Sequence, residues 1–162
     1  MKHLIESIEY NNGKFPRNEL QQIIERKDEA IPYLIQIVEE VRANPATFIE
    51  DQNLINHIYA VYLLAQFRVK ELYPLLIDIL SLPDEIPDEI FGDTITEGMA
   101  RILASVCEGE ILPIQRLIEN TQVDEYVRGQ GLLCLVILAL NEQLERGEVM
   151  SYFQQLRMAA KP

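Results

Sequence analysis

Tryptophan is absent from this 162-residue sequence, and cysteine and histidine occur only twice each. The two cysteines, Cys107 and Cys134, lie far apart in the chain and form no C-x-x-C pattern, so neither a zinc site nor a disulfide framework is predicted. We expect two free thiols, with Cys134 in the core because apolar residues flank it on both sides. The sequence predicts no cofactor.

Positive charge and long hydrophobic runs are also scarce. The 14 lysines and arginines stand against 26 acids, and the resulting net charge of −12 disfavours binding to nucleic acid or to an anionic membrane surface. The longest apolar run, from Gly131 to Leu140, is half the roughly 20 residues that a bilayer crossing needs. Glu6 interrupts the amino-terminal segment before a signal-peptide core can form. We therefore expect a cytoplasmic protein with no nucleic-acid and no membrane partner.

Sequence signatures of common enzymes are missing as well. The chain has no G-x-S-x-G, no H-E-x-x-H and no phosphate-binding glycine loop. His3 and His57 are the only imidazoles available for acid–base chemistry or metal binding. Carboxylate pairs could do general acid–base work, but among 26 acids many lie near one another by chance. The sequence therefore favours a binding protein over an enzyme.

What the sequence contains is a succession of helical signals. Leu and Ile dominate a composition that is 48% hydrophobic and only 7% aromatic, which favours packed helices over a sandwich of strands. The predicted helices span residues 3–10, 16–26, 29–43, 53–67, 71–81, 94–106, 110–119, 124–140 and 146–158. Segments 53–67 and 131–140 are apolar on nearly all sides and should be central. The length predicts a single domain over residues 1–162, and the helical signals predict that this domain is all-α.

An internal repeat narrows this fold class. Residues 64–75 align without gaps with residues 103–114, a shift of 39 residues between Pro74 and Pro113 (113 − 74). A third copy of the proline turn, at Pro32, precedes Pro74 by 42 residues (74 − 32). A period near 40 residues with two helices per unit is typical of HEAT and armadillo proteins. We predict an α–α superhelix, a HEAT/armadillo-like solenoid of three to four helix pairs, in which each proline opens an outer helix.

A second pattern recurs where the inner helices are predicted to begin. Asn53, Asp93 and Asp124 each provide a side chain that can cap a helix, followed four residues later by a polar residue and then by a small one. The small residues are Ala60, Ala100 and Gly131. Small side chains allow helices to approach closely, so this pattern predicts equivalent inner helices stacked side by side.

Several of these patches together resemble a known family. The patches are His57-x-Tyr59-Ala60-x-Tyr62-Leu63-Leu64-Ala65, Gly92-Asp93-x-x-Thr96-Glu97, Arg101-Ile102-Leu103-Ala104-Ser105-Val106 and Tyr126-Val127-Arg128. Over residues 15–158 the chain resembles the bacterial family named domain of unknown function 1186. Asp124 followed by Val127-Arg128 also resembles the general HEAT motif, in which a loop aspartate precedes a Val-Arg pair at the start of the inner helix. The family resemblance implies no established activity.

The polar residues of the capping pattern provide the candidate partner-binding site. His57, Glu97 and Arg128 occupy equivalent positions and are expected to line one edge of the concave surface, as a mixed-charge strip for a peptide or partner helix. Alternatively, Glu97 and Arg128 form a salt bridge between repeats that has no binding role. The full candidate set is His57, Tyr59, Asp93, Glu97, Arg101 and Arg128.

Two further features have competing interpretations. The segment from Asp78 to Glu97 contains seven acids and no lysine or arginine. It could attract a cation or a basic peptide, but its two Pro-Asp-Glu-Ile units favour a solvated connection with a short helical turn. Of the nearby tyrosines, Tyr62 and Tyr73 are interpreted as core residues, while Tyr59 could belong to the core or to an interaction surface.

These observations predict a protein-interaction or adaptor scaffold that binds an unidentified protein or peptide on its inner-helix face. The alternative is an uncharacterised enzyme, with or without assistance from a metal ion, that uses Asp93, Glu97 and His57. Close approach of these three side chains around a cavity would favour the enzyme, whereas an open groove with dispersed side chains would favour the binding protein.

Overall fold

The structure, a computed structural model, describes residues 1–160, so Lys161 and Pro162 lie outside the described residues. The described chain forms twelve helices. They are α1 (Lys2–Ser7), α2 (Arg17–Glu25), α3 (Lys27–Ala43), α4 (Pro45–Glu50), α5 (Asn56–Gln66), α6 (Leu72–Leu80), α7 (Ile86–Phe91), α8 (Thr94–Glu97), α9 (Met99–Val106), α10 (Leu112–Glu119), α11 (Glu125–Leu140) and α12 (Arg146–Ala159). Extended pairing within residues 1–160 is limited to isolated bridges such as Tyr10 with Leu54. The all-α prediction is confirmed.

The long helices match the predicted ones within a few residues, with one exception. The predicted helix 94–106 is divided at Gly98 into α8 and α9. The ring of Tyr62 from α5 lies where a Cβ atom of residue 98 would project, so glycine allows this close approach and a larger residue would displace the ring. No separate helix was predicted for α4, and only a short helical turn within the acidic connection was predicted where α7 lies. Ile90 and Phe91 of α7 are in fact buried.

The predicted helix starts are only partly correct. Asp124 caps α11, because its carboxylate accepts a hydrogen bond from the Tyr126 amide at 2.7 Å. Asn53 lies ahead of the first turn of α5, and Asp93 is the residue immediately before α8. Neither side chain accepts a capping hydrogen bond. The loop carbonyl of Asn53 instead accepts a hydrogen bond from the Asn11 amide, which ties the amino-terminal segment to α5.

Two of the three prolines lie where they were predicted. Pro74 and Pro113 occupy the first turns of α6 and α10, where the missing amide would have no helical partner. Pro32 does not open a helix, because α3 already begins at Lys27. Its missing amide leaves the carbonyl of Asp28 without the usual partner, and Asp28 is exposed to solvent, which can hydrate that oxygen.

The helices pack in two rows. In one row α3 contacts α6, and α6 contacts α10; in the other, α5 contacts α9, and α9 contacts α11. Further contacts of α3 with α5, α5 with α6, α6 with α9 and α10 with α11 join the rows, and one hydrophobic cluster runs between them. As predicted, α5 and α11 each pack against several helices. The small residues Ala60, Ala100 and Gly131 are all buried.

The helices of the α5–α9–α11 row end in the same way. Arg68, Glu108 and Glu142, each two residues beyond its helix, adopt left-handed backbone conformations with φ of 54°, 49° and 60°. After α5 and α11 the next amide bonds back to a carbonyl five residues earlier, as Val69 does to Leu64. This ending reverses the chain toward the other row. None of the helices of residues 1–160 combines the length and the apolar composition that a membrane crossing needs.

Candidate functional site

His57, predicted to lie on the concave edge, is instead buried, with 2% of its surface exposed. Its Nε2 atom lies 2.6 Å from the carbonyl oxygen of Ile90, and its ring packs against Phe48 and Phe91, with centroids 4.8 and 5.8 Å away. Burial lowers the pKa of His57, although the Ile90 carbonyl opposes this shift. The ring is thus neutral at physiological pH and is buried against Phe48 and Phe91 rather than exposed on the edge where a protein partner was expected.

The three residues of the enzyme alternative are not assembled into a centre. Asp93 and Glu97 are exposed at the ends of α8, whereas His57 faces Ile90. Within residues 1–160, no three His, Cys, Asp or Glu side chains lie close enough together to hold a metal ion. The close approach that would favour the enzyme is therefore missing for the residues that the hypothesis named.

The remaining candidate residues separate onto different surfaces. Arg101 donates to the carbonyl of Glu97 at 2.8 Å, one turn earlier along α8 and α9. Arg128 donates through Nε to the carbonyl of Ile118 at 2.8 Å and lines a different cavity, between α10, α11 and α12. No salt bridge joins Glu97 to Arg128 among the ion pairs of the described residues. The predicted row is therefore not a continuous strip.

A groove runs along the exposed side of α5, between α2 and α9. It consists of two adjoining cavities of about 540 and 370 Å³ that share Tyr62 and Gln66 as walls. The principal polar and aromatic residues of this groove, called the aromatic groove below, are Phe15, Arg17, Tyr59, Tyr62, Gln66 and Arg101. Two of them, Tyr59 and Arg101, belong to the set predicted from the sequence.

Aromatic side chains give the groove an exposed apolar surface. Phe15 is 67% exposed and Tyr62 is 41% exposed, and the ring of Phe15 stands edge-on to that of Tyr59 with centroids 6.3 Å apart. Partial burial raises the pKa of Tyr59, so its hydroxyl stays protonated and can donate a hydrogen bond. The interpretation of Tyr62 as a core residue is wrong, whereas Tyr73 is buried as predicted.

The groove differs in charge from the rest of the molecule. Its charged wall residues are Arg17 and Arg101, and no aspartate or glutamate lines either cavity. This is unusual in a chain with a net charge of −12. The surface is therefore suited to apolar and negatively charged groups, not to the basic peptide considered for the acidic segment.

Sequence reasoning missed Phe15, Arg17 and Tyr62. A usable signal was present, because Tyr59, Tyr62 and Gln66 are spaced as one face of a helix and two of them are aromatics with polar ends. Phe15 has no such signal, because it precedes α2 in a segment without periodicity. Its position beside Tyr59 depends on the packing of α2 against α1 and α3.

The two cysteines are free, and Cys134 is buried as predicted; Cys107, for which the sequence made no such prediction, is buried as well. Cys107 Sγ donates to the carbonyl oxygen of Ala104 at 3.8 Å. The interaction between the two thiols lowers the pKa of Cys107 and raises that of Cys134. Tyr73, which is adjacent, donates its hydroxyl to the carbonyl of Glu110 and has its pKa raised, chiefly by burial. This cluster lies inside the core and does not reach the aromatic groove.

Comparison with known proteins gives relatives without a described activity. A Chlamydia muridarum (strain MoPn / Nigg) protein described as uncharacterized is 39% identical over 156 residues, which cover 96% of this chain and 62% of that protein. A second uncharacterized protein, from Chlamydia trachomatis serovar D, is 38% identical over 165 residues, covering all of this chain and 65% of the relative. The chain thus spans less than two thirds of the length of both relatives. No solved structure matches it.

The resemblance found in the scattered sequence patches agrees with this comparison. A family model matches nearly the whole chain, from residue 1 to residue 160, and so includes both rows of helices and the aromatic groove. The chain therefore belongs to the family described as protein of unknown function (DUF1186).

Proposed function

We propose that this chain is a protein-binding scaffold that holds a segment of a partner protein in the aromatic groove. The observation that carries the proposal is the groove itself, in which Phe15 and Tyr62 expose large aromatic surfaces beside Tyr59. Aromatic side chains with limited rotamer freedom are enriched at the centres of protein interfaces, because they bury much area at a small entropic cost. Single exposed apolar residues are ordinary, but a contiguous aromatic surface in a concave site is not.

We further propose that the two rows of helices form a HEAT-like stack. The repeated contacts within each row and the three left-handed endings at Arg68, Glu108 and Glu142 support equivalent units. In such a stack the α5–α9–α11 row is the inner one, and the aromatic groove lies on its face. Superposition of the α5–α6 pair on the α9–α10 pair in an experimentally determined structure tests this; helix axes that do not superpose would reject it.

The chemistry of the groove defines the segment that it binds. Arg17 and Arg101 flank the aromatic surface without acidic neighbours on the walls. Guanidinium groups pair well with carboxylates, and the overall negative charge of the chain makes a local positive site selective. The bound segment therefore combines large apolar side chains with aspartate or glutamate.

A peptide-display selection on the immobilised protein tests the proposal. We expect enriched peptides that contain both apolar and acidic residues, and we expect Tyr62→Ala to weaken their binding by about tenfold or more. Arg101→Gln should weaken it less, because an exposed charge contributes little free energy. Tyr33→Ala is the matched control, because Tyr33 is 37% exposed but lies on α3, away from the groove. The Tyr33→Ala variant should bind the selected peptides with the affinity of the wild type.

Two results would reject the proposal. One is the absence of any enriched peptide from the selection. The other is a set of peptides that bind Tyr62→Ala and the wild type equally while circular dichroism shows the variant folded.

A further inference from the structure

A second cavity, separate from the aromatic groove, lies on the other side of α5. It has a volume of about 510 Å³ and is bounded by α4, α5 and α7. This volume is within the range of small-molecule sites in proteins. The residues that determine its chemistry are Phe48, Gln52, His57, Asp88, Glu89 and Phe91.

His57 gives this cavity a specific hydrogen-bonding group. A carbonyl oxygen can only accept, so the 2.6 Å contact with Ile90 means that Nε2 carries the proton and Nδ1 carries the lone pair. Nδ1 is buried and has no hydrogen-bond partner among the protein atoms of the described residues. A buried acceptor without a partner costs roughly 1 to 3 kcal/mol, so a ligand that donates a hydrogen bond to it is favoured.

The rest of the cavity limits which donor fits. Asp88 and Glu89 contribute negative charge, and no lysine or arginine lines the cavity. The rings of Phe48 and Phe91 pack against the imidazole and are buried walls of the cavity, so they suit an apolar or cationic group. An anion is therefore repelled, while a positively charged N–H donor with an apolar body satisfies His57, the carboxylates and the rings together.

We propose that this cavity binds a small organic amine, whose protonated nitrogen donates to Nδ1 of His57 and is balanced by Asp88 and Glu89. The apolar part of the amine packs against Phe48 and Phe91. The site is spatially separate from the aromatic groove, because only Ile58 lines both cavities, and the proposal does not require a partner in the groove.

Three probes of matched size separate the elements of this recognition. Phenethylamine has the cationic donor, 2-phenylethanol has a neutral donor, and 3-phenylpropionate has a negative charge. Each is titrated at neutral pH into the ¹⁵N-labelled full chain while the imidazole nitrogens are observed by NMR. The exposed His3 is an internal reference for non-specific effects, because its side chain is fully exposed to solvent.

We expect phenethylamine to shift the Nδ1 resonance of His57 saturably and to leave His3 unchanged. 2-Phenylethanol should bind on the order of tenfold more weakly, and 3-phenylpropionate should not bind. His57→Phe removes the acceptor and should abolish saturable binding of phenethylamine, as measured by isothermal titration calorimetry. Because this variant could fail to fold, Asp88→Asn combined with Glu89→Gln is a second test; both side chains are exposed, and their loss should weaken phenethylamine several-fold.

The proposal is overturned if phenethylamine gives no saturable shift at His57. It is also overturned if 3-phenylpropionate binds as tightly as phenethylamine, or if folded variants lacking the imidazole or the two carboxylates retain wild-type affinity. Binding of 2-phenylethanol with the same affinity as phenethylamine would also overturn the proposal, because the positive charge of the amine would then contribute nothing to recognition.

Discussion

At the scale of single residues, His57 is the side chain whose position has the clearest energetic consequence. The protein encloses its ring between two phenylalanines and uses only one of its two nitrogens in a hydrogen bond. Charging such a ring would place an unpaired N–H in an apolar environment. The folded chain therefore holds His57 in the neutral form at pH values just below 6.5, where the unfolded chain binds a proton at this side chain.

This difference predicts an acid sensitivity that is due to His57. Burial lowers the pKa of the folded form below the ordinary value of 6.5, so the stabilising difference is complete above pH 6.5. As the pH falls below 6.5, the unfolded chain binds a proton that the folded chain does not, and the free energy of unfolding decreases by up to about 1.4 kcal/mol per pH unit. Urea unfolding between pH 7.5 and pH 5.5 measures this slope.

His57→Phe should lack this contribution, while His3→Phe should keep it. His3 is the appropriate control because its side chain is fully exposed, with Nδ1 3.9 Å from the carboxylate of Glu6. If wild type and His57→Phe lose stability in parallel over this pH range, the histidine does not change its proton affinity on folding.

Two glycines on α11 provide a second test, of close packing. A Cβ atom at Gly131 would lie 2.7 Å from Cγ1 of the buried Ile118, whereas a Cβ at Gly129 would meet no atom within 4 Å. Gly131→Ala should therefore lower the free energy of unfolding by about 1 to 3 kcal/mol through overpacking. Gly129→Ala should raise it by about 0.5 to 1 kcal/mol, because alanine restricts the unfolded chain and favours the helix. Urea midpoints compare them; equal effects would contradict the close approach.

The contrast between His57 and Tyr62 shows where sequence reasoning fails at this scale. The sequence predicted an exposed His57 and a buried Tyr62, and the structure has the reverse. Helix α5 is apolar on nearly all sides, so periodicity cannot identify its exposed face. The deciding contacts come from α7, which covers His57, and from Gly98, against which Tyr62 packs.

At the scale of secondary-structure elements, the prolines of α3 and α6 are chemically alike but lie in different helical positions. Pro74 is in the first turn of α6, and Pro32 is inside α3. Both are exposed, so replacing either one removes little packing. A difference between their substitutions therefore reports the helix position alone.

Pro32→Ala should raise the free energy of unfolding by about 1 kcal/mol or more. The new amide can bond to the Asp28 carbonyl, and this gain exceeds the added entropy of the unfolded chain. Pro74→Ala restores no helical hydrogen bond and should leave stability unchanged or lower it by less than about 1 kcal/mol. Thermal and urea unfolding of the two variants measure the contrast; destabilisation by Pro32→Ala would mean that the ring itself supports the start of α3.

The elements that the sequence missed carry the same proline signal. Pro45 and Pro87 occupy the first turns of α4 and α7, as Pro113 does in α10. These helices have only six residues each, too few for a hydrophobic period to be recognised. They fold because Phe48, Ile90 and Phe91 are buried against neighbouring elements. The long helices were predictable because their own residues provide the pattern, whereas α4 and α7 depend on tertiary contacts.

At the scale of the whole molecule, the acidic side chains far outnumber the ion pairs that could neutralise them. The net charge is −12 with neutral histidines, and residues 1–160 contain three ion pairs of lysine or arginine, all on exposed side chains. Of these, Arg42 with Asp78 joins two helices. Such pairs contribute little to stability. Unpaired carboxylates therefore repel one another across the surface, and the absence of acids from the aromatic groove makes the groove a local exception to that field.

Salt should consequently stabilise this protein. Raising the NaCl concentration from ~0.01 M to ~0.1 M shortens the Debye length from about 30 to about 10 Å and screens the repulsion among carboxylates more than the few attractive pairs. We expect the urea midpoint at pH 7.5 to rise, with a gain on the order of 1 kcal/mol in the free energy of unfolding. The gain should disappear near the sequence pI of about 4.6, where the repulsion itself vanishes and only attractive pairs remain to be screened. A midpoint that falls with salt at pH 7.5 would mean that ordered attractive pairs, rather than the net charge, dominate the electrostatic free energy of the fold.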